Sequence, residues 1–225
     1  MKKSLFILAS ALILAQSCFI RVNVPAELLE PQGEVITKSS DLEGQTVNAV
    51  SLAASFDVTI VQGDSLSYEI SAPEKEVDKV NVLTDGEGTL ILTTKPGTKH
   101  CRNVSITVTM PELERVTVSG SGDIDASGFS AGSFEATVNG SGDVYLKGLK
   151  CDKLVAAVNG SGDISVKMLS CTELVASVVG SGDVEVEGVA QKAVFNVTGS
   201  GDIDADRLRC EDVSKSVVGS GSISL

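Results

Sequence analysis

The 225-residue chain has no tryptophan, two tyrosines (Tyr68 and Tyr145) and one histidine, His100. A single histidine excludes a metal site of several histidines and gives little support to a serine or cysteine nucleophile, which needs a neighbouring base. Paired carboxylates are enough to hydrolyse glycosides, but sugar substrates usually stack on exposed aromatic rings, which are scarce here. We therefore predict that the protein is not an enzyme, with a polysaccharide-active enzyme as the weakest alternative.

Positive charge is also scarce, because 18 Lys and Arg stand against 30 Asp and Glu, for a formal net charge of −12. An acidic surface argues against nucleic-acid binding and disfavours electrostatic docking on anionic lipid. Apolar runs long enough to cross a bilayer are absent too. The sequence therefore predicts no nucleic-acid partner, and membrane attachment only through a covalent anchor.

The N-terminus resembles an export signal. Lys2 and Lys3 form a positive n-region, and residues 4–15 are mostly apolar but too short for a stop-transfer helix. We interpret residues 1–17 as a signal peptide, whose removal takes away both lysines and lowers the formal charge from −12 to −14. Residues 18–35, which carry two prolines and no periodic pattern, are interpreted as a tether.

Cys18 follows a small-residue cleavage site, Ala15-Gln16-Ser17. This arrangement resembles the lipobox of bacterial lipoproteins and predicts that Cys18 is acylated, although the commonest lipobox has Leu where Ala15 stands. The alternative is a plain secreted protein with an N-terminal thiol. Both interpretations export the chain; the first predicts an outer-membrane lipoprotein that faces the periplasm or the cell surface.

A tetrapeptide repeats through the second half of the chain. Gly-Ser-Gly-Asp begins at Gly120, Gly140, Gly160, Gly180 and Gly199, and a sixth copy at Gly219 reads Gly-Ser-Gly-Ser. The spacing is 20 residues, except for 19 between the fourth and fifth copies. Self-similarity at a fixed period in this range is typical of a solenoid.

Apolar residues recur at five positions counted forward from the first glycine of each copy. The third of these positions falls on Val189 in the fourth repeat, and the fourth falls on Val194. A coil of short strands with one apolar face must stack on its neighbours, at about 4.8 Å per layer. We predict an all-β, single-domain, right-handed parallel β-helix over residues 36–225, with irregular coils over 36–119, regular coils over 120–225, and nine to ten coils of about 20 residues.

The glycines of the tetrapeptide have a conformational explanation. A tight corner in every coil requires positive φ, which glycine adopts without a Cβ clash. We therefore predict that these glycines form the corners.

The segment from Pro73 to Val80 shows the one faint helical period in a chain that otherwise consists of predicted strands.

Several segments together resemble a known family. They are Phe56–Asp64, Gly88–Leu92, Val104–Leu113 and the Gly-Ser-Gly-Asp array. Over about residues 40–225 the chain is similar to the putative auto-transporter adhesin head domain (GIN domain) of Bacteroidetes and related bacteria. The resemblance implies a β-solenoid and an exported protein, and it brings no established biochemical activity with it.

The aspartates of the tetrapeptide are the most distinctive candidate site. Stacked coils would place them in a column about one layer apart, where like charges repel. Calcium between the layers would relieve this repulsion. Alternatively, each aspartate accepts hydrogen bonds from backbone N–H groups of its own turn, and no cofactor is needed. The column comprises Asp123, Asp143, Asp163, Asp183 and Asp202.

Four cysteines remain once Cys18 is set aside. Cys151 and Cys171 occupy the same position in adjacent coils, within disulfide range by their Cα atoms, whereas Cys210 lies two layers from Cys171. The sequence leaves open a Cys151–Cys171 disulfide or four thiols that act as small hydrophobes.

Asp64-Ser65-Leu66 resembles the O-glycosylation signal of Bacteroidetes and makes Ser65 a candidate for modification.

For the whole protein we predict a non-catalytic adhesion or interaction module that binds an unknown glycan or protein. The alternative is a structural envelope component that stacks end to end with itself, because Ser222–Leu225 ends in mid-coil without a polar cap.

Overall fold

A computed structural model describes residues 34–42, 44–98 and 101–225. These residues form one 16-stranded sheet and one short helix, α1 (Glu74–Val77), inside the segment with a faint helical period. In these residues no helix has the length and apolar character needed to cross a membrane. The strands are β1 (Val35–Asp41), β2 (Ala49–Ala53), β3 (Asp57–Gln62), β4 (Ser67–Pro73), β5 (Val80–Thr84), β6 (Thr89–Thr94), β7 (Ser105–Met110), β8 (Arg115–Val118), β9 (Ile124–Ser127), β10 (Ser130–Val138), β11 (Val144–Lys147), β12 (Lys150–Gly160), β13 (Ile164–Gly180), β14 (Val184–Gly199), β15 (Ile203–Gly219) and β16 (Ile223–Ser224).

The sheet winds into coils with two main faces. The aspartate face consists of β7, β3, β9, β11, the first residues of β13, β14 and β15, and β16, paired in that order. The valine face consists of β6, β2, β8, β10, β12 and the later residues of β13, β14 and β15. All these pairings are parallel, so the predicted all-β parallel solenoid is confirmed.

The predicted number of coils is wrong. About six successive turns wind through β8 to β16, one for each tetrapeptide copy. In the first half the coils do not stack in the order of the sequence. The coil β2–β3 lies between the coil β6–β7 and the coil β8–β9. Moreover, β1, β4 and β5 run antiparallel to their neighbours, so their residues add no further parallel coils.

The core is a set of apolar columns along the solenoid axis. Strand residues alternate between buried and exposed, as the two-residue period of a strand requires. No charged or polar side chain is buried within the part of the chain that the structure describes. One such column holds Phe134, Leu154 and Leu174, each at most 1% exposed.

The fourth repeat departs from the predicted register. Val166 pairs with Val186, but Leu169 pairs with Gly188, so the missing residue lies between Val186 and Gly188. The preceding coil has one more residue at this corner, where Met168 adopts φ 58°. Every later residue of this repeat is therefore shifted by one from the forward count.

The shift corrects two predicted core positions. Val189 is 51% exposed and Val194 is only half-buried. Gly188 takes the place predicted for Val189, beside Leu169, and Ala193 takes the place predicted for Val194, beside Leu174. Ala193 is fully buried, and Ala190, the register partner of Cys171, is 2% exposed.

The tetrapeptide glycines form the predicted corners, but positive φ is only part of the reason. Gly180, Gly199 and Gly219 have φ between 129° and 133°. The second glycine of each copy, such as Gly162, does not have positive φ. Instead, a Cβ on Gly162 would lie 2.0 Å from the carbonyl oxygen of Gly142 in the preceding coil. These glycines are required because the corners of adjacent coils touch through their backbones.

Candidate functional site

The five tetrapeptide aspartates form the predicted column, and each carboxylate is bound to the next coil. The backbone N–H of Asp143 donates to Oδ1 of Asp123 at 2.9 Å, and that of Asp163 donates to Oδ1 of Asp143 at 2.8 Å. The same bond recurs from Asp183 to Asp163 at 2.8 Å and from Asp202 to Asp183 at 2.7 Å. The column is therefore a ladder that joins coils along the axis.

This geometry corrects the expectation that each aspartate bonds within its own turn. The donor lies 19 or 20 residues later in the sequence, in the neighbouring coil. A hydrogen bond to a charged acceptor is stronger than a neutral one, so the ladder offsets the repulsion between stacked carboxylates.

The ladder also extends beyond the five predicted residues. At one end Asp57 Oδ1 accepts the N–H of Asp123 at 3.3 Å, and at the other Asp202 Oδ1 accepts the N–H of Ser222 at 2.6 Å and its Oγ at 2.9 Å. Sequence reasoning missed Asp57, although it follows Ala54-Ser55-Phe56 at the position that aspartate takes in each Gly-Ser-Gly-Asp copy.

Calcium between the layers stays a prediction. The ladder hydrogen bonds occupy one oxygen of each carboxylate, and no group of three or more His, Cys, Asp or Glu in the described ranges is arranged to hold a metal ion. A rise in melting temperature with millimolar calcium, reversed by a chelator, is the result that would support an ion.

Two ladder carboxylates have perturbed protonation. Partial loss of hydration raises the pKa of Asp163 above its ordinary value of 3.8, although the residue is exposed; the N–H of Asp183 opposes this rise, and the charges of Asp143 and Asp183 add to it. The pKa of Asp123 is raised by burial in the same way. The folded state therefore binds these protons more tightly than the unfolded state. Protonation of Asp123 and Asp163 therefore contributes to the free energy of unfolding below pH 3.8, and this contribution is lost as pH rises through their folded-state pKa.

We expect Asp163→Asn to stabilise the protein at neutral pH. The amide oxygen still accepts the N–H of Asp183, but the like-charge repulsion is removed, which is worth a few tenths of a kcal/mol to about 1 kcal/mol between neighbouring strand residues. The gain should disappear below about pH 4, where the wild-type carboxyl is protonated. Urea unfolding as a function of pH measures both effects.

Asp163→Ala and Asp152→Asn are the controls for this prediction. Asp163→Ala removes the acceptor as well as the charge, so it should cost about 1 kcal/mol. Asp152 is exposed on β12 outside the ladder, so Asp152→Asn tests a general effect of lower net charge. Equal gains from Asp163→Asn and Asp152→Asn would contradict a specific role of the ladder.

A groove of about 490 Å³ lies beside the ladder on the aspartate face. Its polar lining consists of Tyr145, Asp163, Ser165, Lys167, Asp183, Glu185, Asp202 and Asp204. The carboxylates can accept hydrogen bonds from hydroxyl or amino groups of a ligand, and Lys167 contributes a positive charge. Arg207 pairs with Glu185 and Glu187 on the same face.

Tyr145 presents a fixed aromatic ring at this groove. The residue is 43% exposed, and its hydroxyl donates to Oδ2 of Asp143 at 3.0 Å. That hydrogen bond, with burial and the nearby carboxylates, raises the pKa of Tyr145 to about 12. The phenol therefore stays neutral, and its orientation is set before any ligand arrives.

Cys151 and Cys171 are register partners in β12 and β13, as predicted, and Ala190 separates Cys171 from Cys210. Both are free thiols in the structure, so their disulfide stays a prediction. A hydrogen bond between the two thiols lowers the pKa of Cys151 and raises that of Cys171.

We expect a thiol reagent to modify Cys151 before Cys171. Cys151 is half-buried and ionises first, whereas Cys171 is 8% exposed, and the thiolate is the reactive form. Peptide mapping of the folded protein after brief alkylation measures the order. Equal labelling would contradict it, and a cross-linked peptide containing Cys151 and Cys171 in the digest of unreduced protein would establish the disulfide.

Ser65 is exposed and lies on the rim of a second cavity, of about 520 Å³, between the β1–β2 and β3–β4 connections. Its glycosylation stays a prediction.

Residues 1–17, Cys18 and His100 lie outside the described residues, and so do the predicted cleavage and acylation.

The chain matches a known family over most of its length. The family is described as putative auto-transporter adhesin, head GIN domain, and its sequence model matches residues 47–167 and 147–225. A comparison with curated proteins finds no match.

Several solved structures share this fold. A putative lipid binding protein from Parabacteroides distasonis is 24% identical with a TM-score of 0.72, over 85% of this chain and 96% of that one. A putative adhesin from Bacteroides fragilis is 20% identical with a TM-score of 0.68, over 84% and 96%. A putative adhesin from Parabacteroides merdae is 20% identical with a TM-score of 0.56, over 86% and 97%. At these identities the likeness shows the fold alone.

Proposed function

Because this chain belongs to the family of putative auto-transporter adhesin head GIN domains, we propose that its solenoid is a non-catalytic adhesion or interaction module of the cell envelope. An adhesin-like family implies an exported or envelope protein. The observation that carries the proposal is the aspartate face, on which an exposed, oriented Tyr145 stands beside rows of carboxylates.

The chemistry of this face favours a ligand rich in hydroxyl groups, such as a glycan, or a protein with amino groups. Carboxylates accept hydrogen bonds from both, and a neutral tyrosine ring packs against apolar ligand surface while its hydroxyl stays bonded. The open groove suits a ligand that extends along several coils.

An array of glycans and matrix proteins tests the proposal. We expect the wild-type solenoid to bind at least one class, and Tyr145→Ala to weaken that binding about tenfold, as for an aromatic anchor in an interface. Ser177→Ala, on the valine face, is the matched control and should leave binding unchanged. An array without any binding would contradict an adhesive role, and equal effects of both substitutions would exclude the aspartate face as the binding surface.

We further propose that Cys18 anchors the protein in the outer membrane through acyl chains. The support is sequence alone: the apolar leader and the small-residue cleavage site before Cys18. Incorporation of labelled palmitate that is abolished in Cys18→Ser tests the anchor. Protease treatment of intact cells tests surface exposure, which adhesion requires, and full protection would contradict it.

End-to-end stacking has less support. The coil of β15 and β16 places Lys215 in register with Phe195, which is fully buried. A lysine at an inward position of this coil discourages edge pairing, although Leu225 and Val217 on the same coil are exposed apolar residues. Sedimentation at high concentration, with Lys215→Ile for comparison, separates the two possibilities.

A further inference from the structure

The outer surface of the valine face is uncharged at its centre. Strands β12, β13, β14 and β15 each present three successive outward positions there. In β12, β13 and β14 these positions alternate with buried core residues, whereas in β15 the inward residues are half-buried or exposed. None of these twelve side chains is charged, in a chain with 48 charged residues. The apolar members with the largest side chains are Val155, Val175, Val179, Val194 and Val218.

The charges that border this surface alternate in sign. Lys153, Glu173, Lys192 and Asp212 occupy one column, one residue per coil. Lys153 and Glu173 form an ion pair at 3.3 Å. The column is neutral overall, in contrast to the acidic aspartate face, so the excess negative charge of the protein lies elsewhere.

From this distribution we infer that the valine face is a self-association surface on which a second copy of the chain packs face to face. Two copies of an acidic protein repel each other unless they meet through neutral surfaces. A column of four alternating charges complements itself in a two-fold dimer whose axis crosses the column midway between Glu173 and Lys192, because Lys153 then faces Asp212 and Glu173 faces Lys192. The uncharged centre then packs as the inner layer of a sheet sandwich.

The size of the surface sets the expected strength. Seven residues across each strand, at about 3.3 Å per residue, and four layers, at about 4.8 Å each, give roughly 440 Å² per copy. The total of about 900 Å² is below the standard size of specific interfaces and in the range of weak, transient contacts. We therefore expect a weak, reversible dimer that forms at high local concentration.

Sedimentation velocity over a concentration series tests the inference with the full solenoid. Val179 is 51% exposed, so Val179→Asp should leave the fold intact while it places like charges opposite each other, and dimerisation should weaken about tenfold or more. Thr107→Asp adds the same charge at an exposed position of β7 on the aspartate face and should leave dimerisation nearly unchanged.

Three results would overturn the inference. They are a wild-type protein that stays monomeric at millimolar concentration, equal effects of Val179→Asp and Thr107→Asp, and a monomer that binds neutral phosphatidylcholine vesicles through Val179. The last result would assign the valine face to lipid instead. None of these measurements involves a glycan or protein ligand, so they are independent of the adhesion proposal.

Discussion

Gly162→Ala is expected to destabilise the solenoid by about 3 kcal/mol or more. A Cβ at this position would lie 2.0 Å from the carbonyl oxygen of Gly142 and 3.0 Å from its carbonyl carbon. Both atoms are backbone, so no side chain can rotate away. The two coils must separate locally, which weakens the corner hydrogen bonds from Ser161 and Gly162 to Gly140. Urea unfolding followed by circular dichroism measures the loss.

Two other glycines provide matched controls for this substitution. Gly132 has no atom within 4 Å of an added Cβ and has no positive φ, so Gly132→Ala should change stability by no more than about 0.5 kcal/mol. Gly148 has room for a Cβ but φ 71°, so Gly148→Ala should cost about 1 kcal/mol through backbone strain. If Gly162→Ala cost no more than Gly148→Ala, conformation rather than close approach would explain the tetrapeptide.

The solenoid itself could be predicted because its signal is local and repeated. Each Gly-Ser-Gly-Asp copy marks a corner, and alternating apolar residues mark the strands between corners. The order of the first coils could not be predicted, because β2, β6 and β8 carry similar alternating patterns. In the structure β2 lies between β6 and β8, and the antiparallel strands β4 and β5, which have no repeat to identify them, flank the coil β6–β7.

The corner at Ala54-Ser55-Phe56-Asp57 lacks the glycines of the later corners, and this difference has a structural reason. Gly120 and Gly122 stack on Ala54 and Phe56 of the coil β2–β3, which itself stacks on the coil β6–β7. In the coil β6–β7 the two strands are separated by ten residues in the sequence, from 95 to 104, without a Gly-Ser-Gly motif. A cavity of about 220 Å³ lies beside Ala54 there. Side chains are tolerated at this corner, so Asp57 joins the ladder without a Gly-Ser-Gly motif before it.

The carboxylate column could be predicted from spacing, but its partners could not. Period and residue type place the five aspartates one above another. Whether Oδ1 of Asp163 meets an N–H of its own turn or that of Asp183 depends on corner backbone geometry, which sequence does not specify. The depth of the groove at Tyr145 depends on the same geometry.

The misplaced core positions in the fourth repeat had a detectable signal. Counting forward from Gly180 carries the one-residue deletion into every later position and selects Val194. Counting backward from Gly199 puts Val197, Phe195 and Ala193 at the positions of Val178, Ala176 and Leu174, in agreement with the observed pairing.

Phe195→Ala is expected to cost about 3–5 kcal/mol, because Phe195 is fully buried. Its register partner is Ala176, and in the adjacent core column Ala193 is beside Leu174. The large and small residues have therefore exchanged columns in this coil. We infer from this exchange that the Phe195 ring fills the space beside Ala193, so its truncation should leave a cavity in the core.

A double variant distinguishes this exchange from ordinary core packing. Ala193→Leu alone should destabilise by about 1–3 kcal/mol, because Phe195 occupies the space that the new side chain needs. Ala193→Leu combined with Phe195→Ala restores the Leu and Ala arrangement of the coil below and should lie within about 1.5 kcal/mol of wild type. The double-mutant cycle should therefore show a favourable coupling of several kcal/mol. Additive losses would mean that Phe195 and Ala193 pack independently, and that Phe195 does not compensate for Ala193.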